Sequence, residues 1–249
     1  MMQAFPGITD LYNGYTRHTF EFDGVRAIIV EPKLPRYGRL WIWRARFFDA
    51  FPSVDIAMLG EGFYLVHVDI TDLYGGPAAQ ARWDKFYEFL VLDYGFARRG
   101  ILEGFSRGGL AVYNWAVRNP EKVAAIYADN PVCDIRSWPL GLMSGPGSEN
   151  DAQKCLQAYG LTLDQARHFA DNPIDRLAPL VEEKIPIIHV CGDADEIVPY
   201  PENTGVLVER LRKLGGEMKL ILKPGVKHHP HSLENPAPIV EFLIGNMLL

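Results

Sequence analysis

Residues 104–109 read Gly-Phe-Ser-Arg-Gly-Gly, and this hexapeptide constrains the chain more than any other stretch. It follows the apolar start Gly100-Ile101-Leu102 and opens a helical pattern running from Leu110 to Val117. A serine between glycines at a strand-to-helix junction is the sequence form of a sharp turn that presents the hydroxyl above a sheet edge. Such a turn crowds the positions two before and two after the serine, so glycine is expected at both 104 and 108. The helix N-terminus beneath it favours negative charge developing at that spot.

The flanking pattern says what surrounds the turn. Residues 15–22 and 25–31 alternate apolar with polar around Asp23-Gly24, which reads as a β-hairpin. A strand is expected at 39–43 and a helix near 53–60. The near-continuous apolar run 63–70 fits a strand covered on both faces, with His67 as a packed core residue. Trp83, Phe86, Tyr87, Leu90 and Tyr94 share one helical face, and Gly95 is placed to stop it. Further strands are expected at 123–130, 186–191 and 217–223. A helix marked by Leu207, Leu211 and Leu214 lies between the last two, and Ile239, Val240, Leu243 and Met247 mark a final one. Alternating strands and helices predict an α/β fold: a mostly parallel central sheet with helices on both faces.

Residues 131–184 break that rhythm. They contain a turn-rich tract at 138–148 and then two short helices, the second opened by a Thr162/Gln165 capping box. Their apolar content is too thin for an independent core. The expectation is therefore one domain, 1–249, with a cap-like insertion at about 131–184 covering the site.

Composition narrows the function classes. A net charge of −6 gives no electrostatic case for nucleic acid or an acidic membrane surface. No run approaches the roughly 18 apolar residues of a membrane span. Residues 1–7 lack a basic stretch followed by an apolar one, so a cytoplasmic protein is the default expectation. Cys133, Cys155 and Cys191 form no spaced pair, which argues against a disulfide framework or a zinc ribbon.

Serine is a poor nucleophile at neutral pH and needs a base, which in turn needs an orienting carboxylate. The strand at 186–191 empties into Gly-Asp-Ala-Asp-Glu-Ile-Val-Pro (192–199). The strand at 217–223 empties into Pro-Gly-Val-Lys-His-His-Pro-His (224–231). Together with 104–109 and Asn-Pro-Ile-Asp-Arg-Leu-Ala-Pro at 172–179, these segments resemble the α/β-hydrolase superfamily over nearly the whole chain. Within it the sequence is most similar to bacterial esterases related to dienelactone hydrolases and to prolyl-oligopeptidase-type enzymes. The resemblance implies Ser106 as nucleophile, Asp195 as triad acid and His228 as general base, working through a covalent acyl-enzyme with no cofactor. Asp193 and Asp129 are rival acids; His229 and His231 are rival bases. No Cys/His/Asp group stands near the histidines at ligand spacing, so no metal is expected, and His229 and His231 are assigned to substrate contact or packing.

The resemblance also implies two backbone donors for an oxyanion. One is the Arg107 amide; the other comes from the loop after strand 39–43, where Trp43-Arg44-Ala45-Arg46 replaces the His-Gly-Gly run of many relatives. The Arg44 amide is the expected second donor. Trp41 reads as core. Trp43, Arg44 and Trp138 are expected to meet the substrate, although Trp43 could instead be a buried strand residue and Arg44 could pair with a surface carboxylate. These side chains point to small acyl or methyl esters of a polar or carbohydrate small molecule. The competing readings are a serine peptidase or amidase, and a catalytically inactive hydrolase-fold binding protein. Glu103, inside the expected central strand, must be paired or protonated and reads as structural, with no partner identified.

Overall fold

Asn13-Gly14 and Asp23-Gly24 carry φ values of 49°, 80°, 51° and 77°. Two successive positive φ angles are what a two-residue hairpin turn requires. These turns link β1 (Ile8–Tyr12), β2 (Tyr15–Phe22) and β3 (Val25–Glu31) into an antiparallel meander. The computed structural model describes residues 4–249; Met1, Met2 and Gln3, the start of the stretch read above for a leader, lie outside the described residues. Strand β1 was not anticipated. Four of its five residues are exposed, so it has no buried face to generate an alternating pattern. The Asn13-Gly14 dipeptide was the signal available.

The chain continues through β4 (Trp41–Arg44), α1 (Ser53–Gly60), β5 (Tyr64–Val68), α2 (Pro77–Glu88), β6 (Gly100–Phe105), α3 (Gly108–Ala116) and β7 (Val123–Asp129). Helix α2 starts with Pro77 at its first position, where the missing N–H costs nothing. It runs on into a π-helical turn over Phe89–Asp93, and Gly95, at φ 66°, ends the segment. The 131–184 segment holds α4 (Glu149–Tyr159), α5 (Leu163–Arg167) and the short α6 (Ala178–Glu182). The expected Thr162/Gln165 capping box opens α5. Strand β8 (Ile187–Gly192), α7 (Thr204–Lys213), β9 (Lys219–Lys223) and α8 (Ala237–Asn246) complete the chain.

The nine strands among the described residues form one sheet in the order β1-β2-β3-β5-β4-β6-β7-β8-β9. From β5 to β9 every neighbouring pair is parallel; β3 joins β5 antiparallel. Strands β5, β6, β7 and β8 are buried along their whole length, as parallel strands covered on both faces must be. On one face Trp41, Trp43, Val66 and Leu102 pack under Trp83 and Phe86 of α2, Trp115 of α3 and Leu207 of α7. On the other, Ile42, Leu65, Ile101 and Ile188 pack under Val54 and Met58 of α1 and Ile239 and Leu243 of α8. The Trp43 and Trp83 rings stack at 4.1 Å and 21°. Truncating either to alanine costs about 3–5 kcal/mol.

A third apolar cluster joins Leu110 at the start of α3 to Ile135, Trp138 and Cys155 of the 131–184 segment. That contact seats the segment against the start of α3. No helix among the described residues is long and apolar enough to cross a membrane.

Candidate active site

Ser106 adopts φ 50°, a conformation that non-glycine residues rarely take. It is held there by the end of β7: its amide donates to the Asp129 carbonyl, and the Val132 amide donates to the Ser106 carbonyl, both at 2.9 Å. A Cβ on Gly104 would lie 2.8 Å from Val112 Cγ2, so hydrogen is required there as expected. At Gly108 the expectation of a collision does not hold. A Cβ there would meet the Arg46 and Ala45 Cβ atoms at 3.6 and 3.7 Å, ordinary contact distances. The tight position is Gly109, where a Cβ would come within 2.6 Å of Pro131 Cβ, because α3 starts directly against the chain leaving β7.

The loops after β8 and β9 deliver the other two groups. Ser106 Oγ–H donates to His228 Nε2 at 3.0 Å, and His228 Nδ1–H donates to Asp195 Oδ2 at 2.6 Å. The second Asp195 oxygen accepts from the Ile197 and Val198 amides, each at 2.9 Å, which fixes the carboxylate plane. The two loops touch closely: a Cβ on Gly192 would fall 2.2 Å from the Val226 carbonyl. Rival acid Asp193 is engaged elsewhere, accepting from the Gly225 amide.

The other rivals pair with each other. His231 Nδ1–H donates to Asp129 Oδ1 at 2.6 Å, while Asp129 Oδ2 accepts from the Ser232 amide and from Tyr127 Oη. Both residues are buried, which fits the packing role among those expected for His231. His229 is exposed and stacks on Phe51 at 5.8 Å and 14°. Burial, with His231 and His228 alongside, lowers its pKa below the usual imidazole value. Sequence reasoning missed Asn130, which sits at φ 41° just past β7. Its side chain donates to the His228 carbonyl at 2.9 Å and accepts from the Gly192 amide at 2.8 Å, tying the base loop to the acid loop.

Two expected substrate contacts, Arg44 and Trp43, are corrected. Arg44 is wholly buried, because β4 lies between β5 and β6 and directs this side chain into the layer under α1. Its Nη1 donates to Asp55 Oδ2 at 3.1 Å and to Glu103 Oε1 at 2.9 Å, which supplies the partner missing for Glu103. Its Nε and Nη2 donate to the carbonyls of Arg46, Phe47 and Ala50, and its guanidinium lies 3.8 Å from the Phe105 ring centre. Arg44 therefore organises the loop after β4 from below. Trp43 is equally buried, in the tryptophan stack. Trp138 is 9% exposed and packs against Tyr74.

The Arg44 amide is also not free to serve an oxyanion. Sheet pairing continues past it, since the Ala45 amide still donates to the Glu103 carbonyl at 2.9 Å. The next amide, that of Arg46, is the first beyond the ladder, and it lies 3.9 Å from where a Gly108 Cβ would be. Arg107, the residue after Ser106, sends its side chain to the 131–184 segment. Its Nη1 donates to Asp151 Oδ1 of α4 at 2.7 Å and to Tyr74 Oη at 3.1 Å. Burial opposes ionisation of Asp151, but hydrogen bonds from Ser148 and Tyr74 and the Arg107 charge outweigh it and hold its pKa low.

Comparison with known proteins places this geometry in a family. The prolyl oligopeptidase family profile matches residues 86–243, well over half of the chain, and that stretch includes Ser106, Asp195 and His228. No curated protein matches the sequence. Among solved structures, a Mycobacterium tuberculosis puromycin-hydrolyzing peptidase superposes with a TM-score of 0.70 at 14% identity, over 94% of this chain and 38% of its own. A Pyrococcus horikoshii acylaminoacyl peptidase gives 0.70 at 15%, over 94% and 42%. A Porphyromonas gingivalis dipeptidyl peptidase 4 gives 0.68 at 14%, over 93% and 35%. The chain thus spans about two-fifths of these proteins' length, and at such identities the likeness establishes the fold. The strained serine turn, the ordered Ser-His-Asp contacts and the matched profile lead to one conclusion: the chain belongs to the prolyl oligopeptidase family, within the α/β-hydrolase superfamily of serine hydrolases.

Proposed function

We propose that the chain hydrolyses amide or peptide bonds by acyl transfer through Ser106, His228 and Asp195. The observation that carries the chemistry is the continuous series Ser106 Oγ–His228 Nε2–Asp195 Oδ2 at 3.0 and 2.6 Å on a strained turn. A hydrolase fold kept only for binding has no need to maintain these distances. Amide cleavage is favoured over ester cleavage by the family match and by the peptidases among the structural neighbours. The saccharide-ester expectation rested on the Arg44 and Arg107 guanidiniums with Trp138 nearby; Arg44 is buried beneath the loop and Arg107 is engaged by Asp151.

In this reading Ser106 Oγ attacks the scissile carbonyl as His228 Nε2 takes its proton. Asp195 holds Nδ1–H, fixing the tautomer and stabilising the imidazolium that forms. His228 then protonates the leaving amine, and water, activated by the same nitrogen, hydrolyses the acyl-enzyme. The developing oxyanion is received by the backbone amides of Arg107 and Arg46, the first two positions clear of sheet pairing on either side of the serine. Removing one such donor costs about 10²–10³ in kcat. The 131–184 segment, latched to Arg107 through Asp151, walls one side of the site.

The deciding experiment compares short peptidyl-aminomethylcoumarin amides with p-nitrophenyl esters and acetylated glycans. Turnover of amides, lost in Ser106→Ala, supports the proposal. Turnover of esters alone by the wild type would reject the peptidase reading and leave the triad standing.

A further inference from the structure

The three histidines of the 224–231 loop form a cluster that the proposed mechanism uses only in part. One ring nitrogen from each of His228, His229 and His231 lies within 4.8 Å of the others. The rings stand nearly perpendicular to one another, at 70°, 79° and 90°, with centres 4.9, 5.0 and 4.8 Å apart. Three imidazoles bound through nitrogen to one tetrahedral cation at about 2.0–2.1 Å have ring centres roughly 5 Å apart. The cluster therefore stands close to that arrangement and reaches it by small ring rotations.

The surroundings match a metal site more closely than the sequence suggested. Histidines that ligate metals almost always donate their other N–H to a carboxylate or carbonyl, which sets the tautomer and raises the basicity of the ligating nitrogen. Here two of the three do so: His228 Nδ1–H to Asp195 and His231 Nδ1–H to Asp129, both at 2.6 Å. Each carboxylate is fully or almost fully buried and further fixed by backbone amides. Nε2 of each of these two rings is left outside its carboxylate pair. That of His231 has no hydrogen-bond partner among the described residues, and that of His228 holds only the Ser106 hydroxyl. His229, exposed beside them, supplies the third ligand from the solvent side.

We infer that His228, His229 and His231 form a binding site for a borderline-soft divalent cation, Zn²⁺ above all, and that its occupation switches the triad off. The cation takes the His228 Nε2 lone pair, so the Ser106 hydroxyl loses its proton acceptor; no proton leaves either carboxylate-bound Nδ1. A water completes the tetrahedron. Cation binding stands on the geometry alone, whereas the inhibition rests on the proposed roles of Ser106 and His228. The carboxylates of Asp129 and Asp195, brought in from β7 and from the loop after β8, supply what the loop sequence lacked.

The test is calorimetric titration of untagged protein with ZnCl₂, in parallel with the rate at which a fluorophosphonate probe labels Ser106. One Zn²⁺ per chain is expected, with labelling blocked as the site fills and restored by EDTA. Ser106→Ala is expected to bind Zn²⁺ at least as tightly, because the competing hydroxyl is gone. This variant reports on the site even if the chain proves inactive. His229→Gln, an exposed change that spares both carboxylate pairs, is expected to weaken binding at least about tenfold. Absence of binding in the wild type, or equal affinity in His229→Gln, overturns the site. Binding that leaves Ser106 labelling untouched overturns the switch.

Discussion

Replacing Glu103 with glutamine isolates the buried charge balance beneath the active site. One guanidinium, Arg44, faces two carboxyl groups, Asp55 at 3.1 Å and Glu103 at 2.9 Å, and all three side chains are 0–1% exposed. Burial raises the Glu103 pKa well above its ordinary 4.5, and the neighbouring Asp55 charge adds to the shift, outweighing the Arg44 attraction. Holding the proton on Glu103 relieves the excess of negative charge around the single guanidinium. A group whose folded pKa is raised contributes stability below its unfolded pKa and loses it as pH rises toward the folded value. Wild-type stability should therefore fall relative to Glu103→Gln as pH rises from the unfolded titration of Glu103 toward the folded one, with a limiting slope of about 1.4 kcal/mol per pH unit. Glutamine keeps the shape and can keep the hydrogen bond from Arg44, so at about pH 5 the two proteins should differ by no more than about 1 kcal/mol. Between about pH 5 and pH 7 the variant should gain steadily on the wild type, by no more than about 1.4 kcal/mol per pH unit. Urea unfolding at each pH, with m-values checked for equality, measures the difference. Parallel stability–pH curves, or a variant weaker by several kcal/mol at every pH, would refute the reasoning and make Glu103 the ionised partner of Arg44.

Arg44→Met should cost about 3–5 kcal/mol, lowering the midpoint of thermal unfolding by about 6–20 °C, because it strands a buried carboxylate and releases the loop carbonyls; calorimetry would show it. Ser106→Ala should lower kcat on the order of 10⁶-fold with the unfolding midpoint nearly unchanged, and fluorophosphonate labelling should vanish. Asn130→Ala should reduce kcat/KM on the order of tenfold to hundredfold by letting the His228 backbone shift, with Ser106 still present and the fold intact by circular dichroism. Gly104→Ala should lose about 1–3 kcal/mol against the Val112 contact, while Gly108→Ala should unfold close to wild type and show its defect in turnover.

Much of this architecture was legible in one dimension because it depends on local chemistry. Asp23-Gly24 announces its turn through residues that tolerate positive φ, and the buried strands announce themselves as apolar runs. The Ser106 turn is marked by glycine at 104, where a Cβ would strike Val112. The acid and base loops follow their strands directly, so strand order located the loops, while the choice of Asp195 and His228 over their rivals came from the family resemblance. What lies across the sheet was not legible. Arg44 meets Glu103 because β4 pairs with β6, and Asp55 joins them from α1; these three residues are 11 and 48 positions apart along the chain and share no local pattern. The side on which Arg44 points is set by its place in that ladder, and this carried the expected substrate contact into the core. The pairing of His231 with Asp129 likewise spans the gap from β7 to the loop after β9. Residue type and spacing determined which chemistry the chain carries, since nucleophile, acid and base are set by side-chain identity and strand order. Only the tertiary structure decided which charges are buried together and which nitrogens face one another, because those depend on contacts between distant strands whose free energy no local segment contains.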